Sequence, residues 1–168
     1  SWPEDPEYEV VPLCSFAMGW VASPQLGIDP GRPLTPEQLG AFPIIGYPTG
    51  TESQMRIDAY FDGVARGLVM HAGNGLLSNV QMARSGIGVA AVPRVAVRSE
   101  LQHGELTVVP TIRPYVDVHY AALFLRDAAS DLPRAIATIA RQAAGRLCEA
   151  SDPQDAWQSH ATDKADLT

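Results

Sequence analysis

The chain is short of charge, aromatic rings, cysteine and lysine. Of its 168 residues, 18% are charged and 7% aromatic. Cysteine occurs only at Cys14 and Cys148, in neither a C-x-x-C nor a zinc-ligand spacing. That argues against a disulfide framework and against a structural zinc. Lys164 is the only lysine beside the arginines, an imbalance that reads as genomic composition bias. No apolar run approaches the roughly eighteen residues a membrane span needs, and mean hydropathy is −0.03. No basic segment followed by an apolar core opens the chain, so no secretory signal and a cytoplasmic location are expected. There is no internal repeat, no H-E-x-x-H and no G-x-S-x-G elbow. His71, His103, His119 and His160 are scattered, none at i, i+4 spacing. The expectation is therefore no metal, no cofactor and no nucleophile, base and oxyanion constellation, hence not an enzyme.

What is present is a 46% hydrophobic composition with 14 Gly and 14 Pro, which excludes a coiled coil and a mostly disordered chain. The length suits one domain with a sizeable core, or two small lobes. The net charge of −7 is unevenly placed. Glu4, Asp5, Glu7 and Glu9 make an acidic leading segment over 1–8 and just beyond. Glu149, Asp152, Asp155, Asp163 and Asp166 face one lysine in the tail over 149–168. The body between is near neutral and carries no basic stripe, a poor nucleic-acid surface by itself.

Short apolar runs alternate with helical periods, the pattern of an α/β fold. Val10–Leu13 and Ala17–Ala22 read as buried strands split by Cys14-Ser15-Phe16, and 23–33 as a loop. Thr35, Pro36 and Gln38 spell a capping box that opens a short helix stopped by Gly40. Phe42–Tyr47 reads as a strand. Thr51 and Gln54 spell a second capping box, and Ile57, Tyr60, Phe61, Val64 and Leu68 share one face of the helix behind it. Strand Leu68–His71 follows. A helix capped by Asn74 comes next, with Leu76, Leu77, Val80 and Ala83 on its apolar face and Gly86 at its end. Strand Val89–Val92 stops at Pro93. A short helix (Val95–Leu101), a short strand (Leu106–Val109) and a buried strand (Val116–Leu125) come after it. A last helix, capped by Ser130 or Asp131, carries the stripe Leu132, Ile136, Ile139, Ala143 and Leu147. Beyond Ala150 the apolar period vanishes, as in a solvated tail.

The turn Pro48-Thr49-Gly50-Thr51 is the most informative local feature. It leaves a strand and opens a helix, so unpaired N–H groups and two hydroxyls gather at one spot that favours carboxylates or phosphates. Plain capping accounts for Thr51 and Gln54 equally well. Ser85-Gly86-Ile87-Gly88 is not a nucleotide loop, because it leaves a helix and enters a strand. Gly86 fits a helix end and Gly88 a close backbone passage. Trp20 and Phe16 read as core, and Arg84 and Arg94 as candidates to line a cleft.

These pieces form an ordered series. L-T-P-E-Q-L occupies 34–39, P-I-I-x-Y-P-x-G-T 43–51, S-G-I-G-V-A-A-V-P-R 85–94 and E-L-x-x-G-E-L 100–106. Asn74 stands twelve residues ahead of Gly86, and P-L-x(6)-W-V-A-S-P fits 12–24. Over about residues 9–147 the series resembles the effector-binding domain of LysR-type transcriptional regulators. The resemblance implies a type 2 periplasmic-binding-protein-like α/β fold, with one full lobe plus the closing strand and helix of a second. Residues 9–112 would form the second lobe and 113–148 the crossover and C-terminal part of the first. It implies a small effector, a carboxylate or other anion, held in an inter-lobe cleft by Thr49, Gly50 and Thr51, with Pro93 nearby. It implies a homo-oligomer that meets DNA only through a helix-turn-helix domain this sequence lacks, as in an N-terminally truncated regulator. Such a chain would expose apolar surface on Val116–Leu125 and on the last helix. A transport solute-binding protein of the same fold is the alternative.

Overall fold

A computed structural model describes residues 5–64, 69–127 and 130–159. Leu68, expected to end a helical face and open a strand, lies outside the described residues, as do His160 and the end of the tail. In chain order the elements are β1 (Tyr8–Phe16), β2 (Met18–Ala22), α1 (Pro36–Leu39), β3 (Ile44–Gly46), α2 (Glu52–Tyr60), β4 (Met70–Ala72) and α3 (Leu76–Arg84). They continue with β5 (Val89–Pro93), α4 (Arg98–Gln102), β6 (Thr107–Val109), β7 (Val118–Leu125), α5 (Leu132–Glu149) and β8 (Ala156–Gln158). The chain forms two units, Met18–Val116 and Ser1–Ala17 with Asp117–Thr168. β1 pairs with β7 and β8 and not with β2.

The Met18–Val116 unit is built on a five-stranded sheet of order β4-β3-β5-β2-β6. β3 runs parallel to β4 and β5, and β2 antiparallel to β5 and β6. Successive side chains of a strand leave opposite faces, and both faces are covered here. Trp20, Ala22, Ile44, Val89 and Ala91 pack with Ile57, Tyr60 and Phe61 at α2. Val21, Ile45, Ala90 and Val92 pack with Val80 and Ala83 of α3, with Val97 and with Leu106. Such two-sided burial explains why these strands read as continuous apolar runs. Trp20 meets Tyr60, Phe61 and Tyr115 at ring centroids 5.1, 5.6 and 5.2 Å away.

Several local expectations hold. Thr35 and Gln38 exchange both bonds of a capping box. Gly86 sits at φ +73° behind α3, and a Cβ on Gly88 would collide with the Pro43 carbonyl. Others are corrected. Gly75, not Asn74, caps α3, and Ser78 Oγ accepts its N–H at 3.1 Å. Leu77 points outward, 81% exposed. The helix expected from Val95 begins as a 3-10 turn over Arg94–Val97.

The other unit is a three-stranded antiparallel sheet, β7-β1-β8, with α5 against β1, β8 and β7. The expected break at Cys14-Ser15-Phe16 is absent. β1 stays paired from Tyr8 to Phe16 and absorbs Pro12 with a bulge between Pro12 and Cys14, the usual accommodation for a residue that cannot donate to a ladder. The chain changes sheets at Ala17. β8 contradicts the wholly solvated tail: it pairs with Cys14, Ser15 and Phe16, and its Ala156 is buried. β7 is not fully buried: Tyr120, Leu123 and Leu125 are exposed, which corrects the reading as a buried strand and agrees with the apolar surface expected on Val116–Leu125. On α5 the apolar stripe is also exposed at Leu132, Ile136, Ile139 and Leu147, in line with the exposure expected of the last helix. Asp131 occupies the cap position of α5 without a side-chain cap bond.

Candidate functional site

The connections of the five-stranded sheet define one distinctive edge. From β3 the chain passes through α2 to β4 on one side. From β5 it passes through α4 to β6 on the other. The carboxyl ends of adjacent parallel strands whose connections diverge form a crevice, the place where open α/β sheets bind ligands. Here that switch point falls between β3 and β5. The turn Pro48–Thr51 follows β3, and Pro93 ends β5, so the structure brings Thr49, Gly50, Thr51 and Pro93 to one edge of one sheet. Pro93 pairs with Met18, the first residue of β2, at that same edge.

The turn is built by its own atoms. Thr51 N–H donates to the Pro48 carbonyl at 3.2 Å, and Gly50 at the third position has φ +85°, the left-handed conformation a type II turn asks of glycine. Thr51 Oγ1 donates to Pro48 O at 2.8 Å and accepts from Gln54 N–H at 3.3 Å. Thr49, Gly50 and Thr51 are all exposed. The first N–H groups of α2 lie beside them, at the positive end of the helix dipole. Glu52 in that first turn is held by Arg56 at 2.8 Å.

The second capping box is only half made. Gln54 Oε1 turns away from Thr51 and accepts the N–H of Tyr47 at 2.8 Å, while Gln54 Nε2 donates to Asp58 at 2.7 Å. Gln54 is buried, and its Oε1 fills the space where Gly46 would carry a Cβ. A second buried amide, Asn79 of α3, donates Nδ2 to the Gly46 carbonyl at 3.1 Å. Two amides thus fasten the carboxyl end of β3 beneath the turn. Gln54 was visible in the sequence as a cap partner; the role of Asn79 was not, because its partner is thirty-three positions away.

The two arginines do not share a cleft. Arg94 follows Pro93 at the crevice edge, its side chain running 3.0 Å from where a Cβ on Gly19 would stand. Arg84 lies at the opposite edge, paired to Glu105 at 2.8 Å. That pair lines an open hollow of about 520 Å³ with Ser23, Gln25, Gln81 and Ser85. Elsewhere Ser15 Oγ lies 2.7 Å from His119 Nδ1 and 2.6 Å from Ser159 Oγ. Ser15 is wholly buried, and these bonds tie β1 to His119 of β7 and to Ser159, the residue after β8. Among the described residues no group of three His, Cys, Asp or Glu comes together to hold a metal. No helix among them is long and apolar enough to cross a membrane.

The family profile of the LysR substrate binding domain matches residues 1–145. The chain belongs to this family. LysR substrate-binding domains are the effector-binding parts of transcriptional regulators and are not enzymes. Solved structures agree on the fold. The regulatory domain of MetR (NMB2055), a LysR family regulator from N. meningitidis, superposes with a TM-score of 0.71 at 14% identity, covering 95% of this chain and 72% of that one. The CcmR regulatory domain of Synechocystis PCC6803, in complex with 2-PG, gives 0.69 at 13% identity, covering 86% and 70%. The effector-binding domain of QuiR in complex with shikimate gives 0.63 at 16% identity, covering 87% and 70%. No curated protein matches the chain in sequence. The mixed α/β architecture with two sheets is thus that of LysR regulatory domains, periplasmic-binding-protein-like.

Proposed function

We propose that this LysR effector-binding domain senses a small anionic metabolite, a carboxylate, at the crevice between β3 and β5. Thr49, Gly50 and Thr51 hold the anion by hydroxyls and by the free N–H groups at the start of α2, the Thr51 hydroxyl turning its proton from the Pro48 carbonyl to the ligand. Pro93 forms the facing wall of the crevice. The observation that carries this reading is the coincidence of the topological switch point with a hydroxyl-bearing helix start. Two structural neighbours hold small molecules, 2-PG and shikimate. In this reading Met18–Val116 is the second lobe and α5 with its sheet the closing part of the first. Occupancy is relayed to a DNA-binding helix-turn-helix outside this sequence, in a cytoplasmic homo-oligomer.

The test is calorimetric binding of a panel of small carboxylates and their neutral amides. Carboxylates bind and the amides do not. Thr51→Val removes a hydroxyl bond worth about 1.5 kcal/mol, or roughly tenfold in affinity. Thr51→Ser restores both the affinity and the cap. Equal binding of acid and amide, or unchanged affinity in the valine variant, overturns the reading.

A further inference from the structure

Cys14 and Cys148 are 134 positions apart in sequence, and both are free thiols. The packing of α5 brings them to one place. Arg141 of α5 donates to the Pro12 carbonyl of β1 at 3.4 Å. Gly145 lies over β8, with Gln158 Nε2 3.5 Å from where a Cβ at 145 would stand. Ala137 is buried. Positions 137, 141 and 145 recur every fourth residue and so mark the side of the helix that meets the sheet. Cys148, three residues beyond Gly145, continues that side. On the sheet, Cys14 stands directly across the β1–β8 ladder from Gln158, and residues so paired project from the same face. The residue beneath Gly145 is therefore the immediate neighbour of Cys14. Cys148, on the next turn of α5, is near enough for its charge to act on the Cys14 thiol.

We infer that Cys14 and Cys148 are a thiol pair that closes to a disulfide between β1 and α5 when the protein meets hydrogen peroxide. Cys148 is the more exposed and reacts first. Its thiolate attacks one peroxide oxygen, the O–O bond breaks, and the departing hydroxide takes a proton to become water. The Cys148 sulfenic acid is then attacked by the Cys14 sulfur. The S–O bond breaks, and the leaving hydroxide combines with the Cys14 proton as a second water. Two thiols lose two electrons, and one peroxide becomes two waters. Burial raises the pKa of both thiols, and Cys14 is raised further by its neighbour Cys148. The reaction is accordingly slow at neutral pH and quickens as pH rises. The cross-link ties α5 to β1, the strand that precedes β2 in the chain.

The experiment treats the folded chain with hydrogen peroxide, quenches free thiols with an alkylating agent and maps peptides without reductant. The expected product is a monomer that has lost two hydrogens, with one peptide pair joined through Cys14 and Cys148. It forms at a rate independent of protein concentration and is reversed by dithiothreitol. The cross-linked protein melts at higher temperature than the reduced one. Cys148→Ser protein forms no link and keeps its Cys14 thiol. Cys14→Ala protein stops at the sulfenic acid of Cys148, which dimedone traps. Since Cys14→Ala alters a buried position, the Cys148→Ser result and the wild-type map stand without it. Conversion of Cys148 only to higher oxides, or a Cys148–Cys148 dimer whose yield rises with protein concentration, overturns the inference.

Discussion

Two apolar clusters fill the Met18–Val116 unit, one on each face of its sheet. The unit of β1, β7, β8 and α5 buries Cys14, Ala137 and Ala156, and leaves Leu132, Ile136, Ile139 and Leu147 in solvent. The helices on the two sides sharpen the contrast. Along α5 the apolar repeat is clean, yet only Ala137 is buried. The repeat of α2 is weaker, and it buries Gln54, Ile57 and Tyr60. Periodicity therefore tells which side of a helix is apolar, and says nothing of whether a partner covers it. The candidate ligand edge belongs to the well-covered unit, where packing on both faces holds the ends of β3 and β5 in fixed register.

The largest effect expected from this contrast is at Trp20, which is 1% exposed and contacts three other rings. Trp20→Ala should destabilise by about 3–5 kcal/mol, a large share of the stability of a domain this size. Chemical denaturation followed by circular dichroism measures it. A loss no larger than that of a surface substitution would mean that the two units do not differ as described.

A smaller effect belongs to the amides beneath the turn. Gln54→Leu leaves the Tyr47 N–H without its 2.8 Å acceptor, which should cost about 1–3 kcal/mol. Because the end of β3 is then loosened, carboxylate affinity should fall along with stability. Asn79→Leu should do the same through the Gly46 carbonyl. Calorimetry and melting on the same variants check both. Stability lost with affinity intact would separate the amides from the crevice.

Much of this region was legible beforehand. The Pro48–Thr51 turn, the Thr35 box and the Gly86 helix end rest on short-range rules that relate residues three or four apart. What escaped were long-range pairings. Gln54 obeys the capping pattern by sequence, but the Tyr47 N–H, seven positions back, takes its oxygen. β8 is three residues long with one buried side chain, too short for a period to show. β1 was split at the wrong place because a bulge, not a turn, absorbs Pro12.

On α5 the expected stability effect is smaller again. Ile136 and Ile139 are 56% and 62% exposed, so Ile136→Ser with Ile139→Ser should move the unfolding free energy by no more than about 0.5 kcal/mol per site. The same variant should sediment more slowly at high concentration if, as proposed, the chain forms homo-oligomers through such surface. A loss of stability comparable to that of Trp20→Ala would show the stripe to be covered within the chain.

The smallest effect is electrostatic and lies between the two ends of the poorly covered unit. Arg134 of α5 holds Glu9 of β1 at 2.7 Å, and that hydrogen bond keeps the Glu9 carboxyl below its ordinary value of 4.5. A carboxylate lowered in the folded state adds stability above its unfolded value and loses it as pH falls through the folded one. Glu9→Gln should therefore lower the melting temperature slightly at neutral pH, and the difference from the parent should shrink to nothing in strong acid. Both groups face solvent, so added salt should shrink it too. A difference that persists at low pH would assign the tie between β1 and α5 to packing, and would leave the charge pair no part in holding the helix on its sheet.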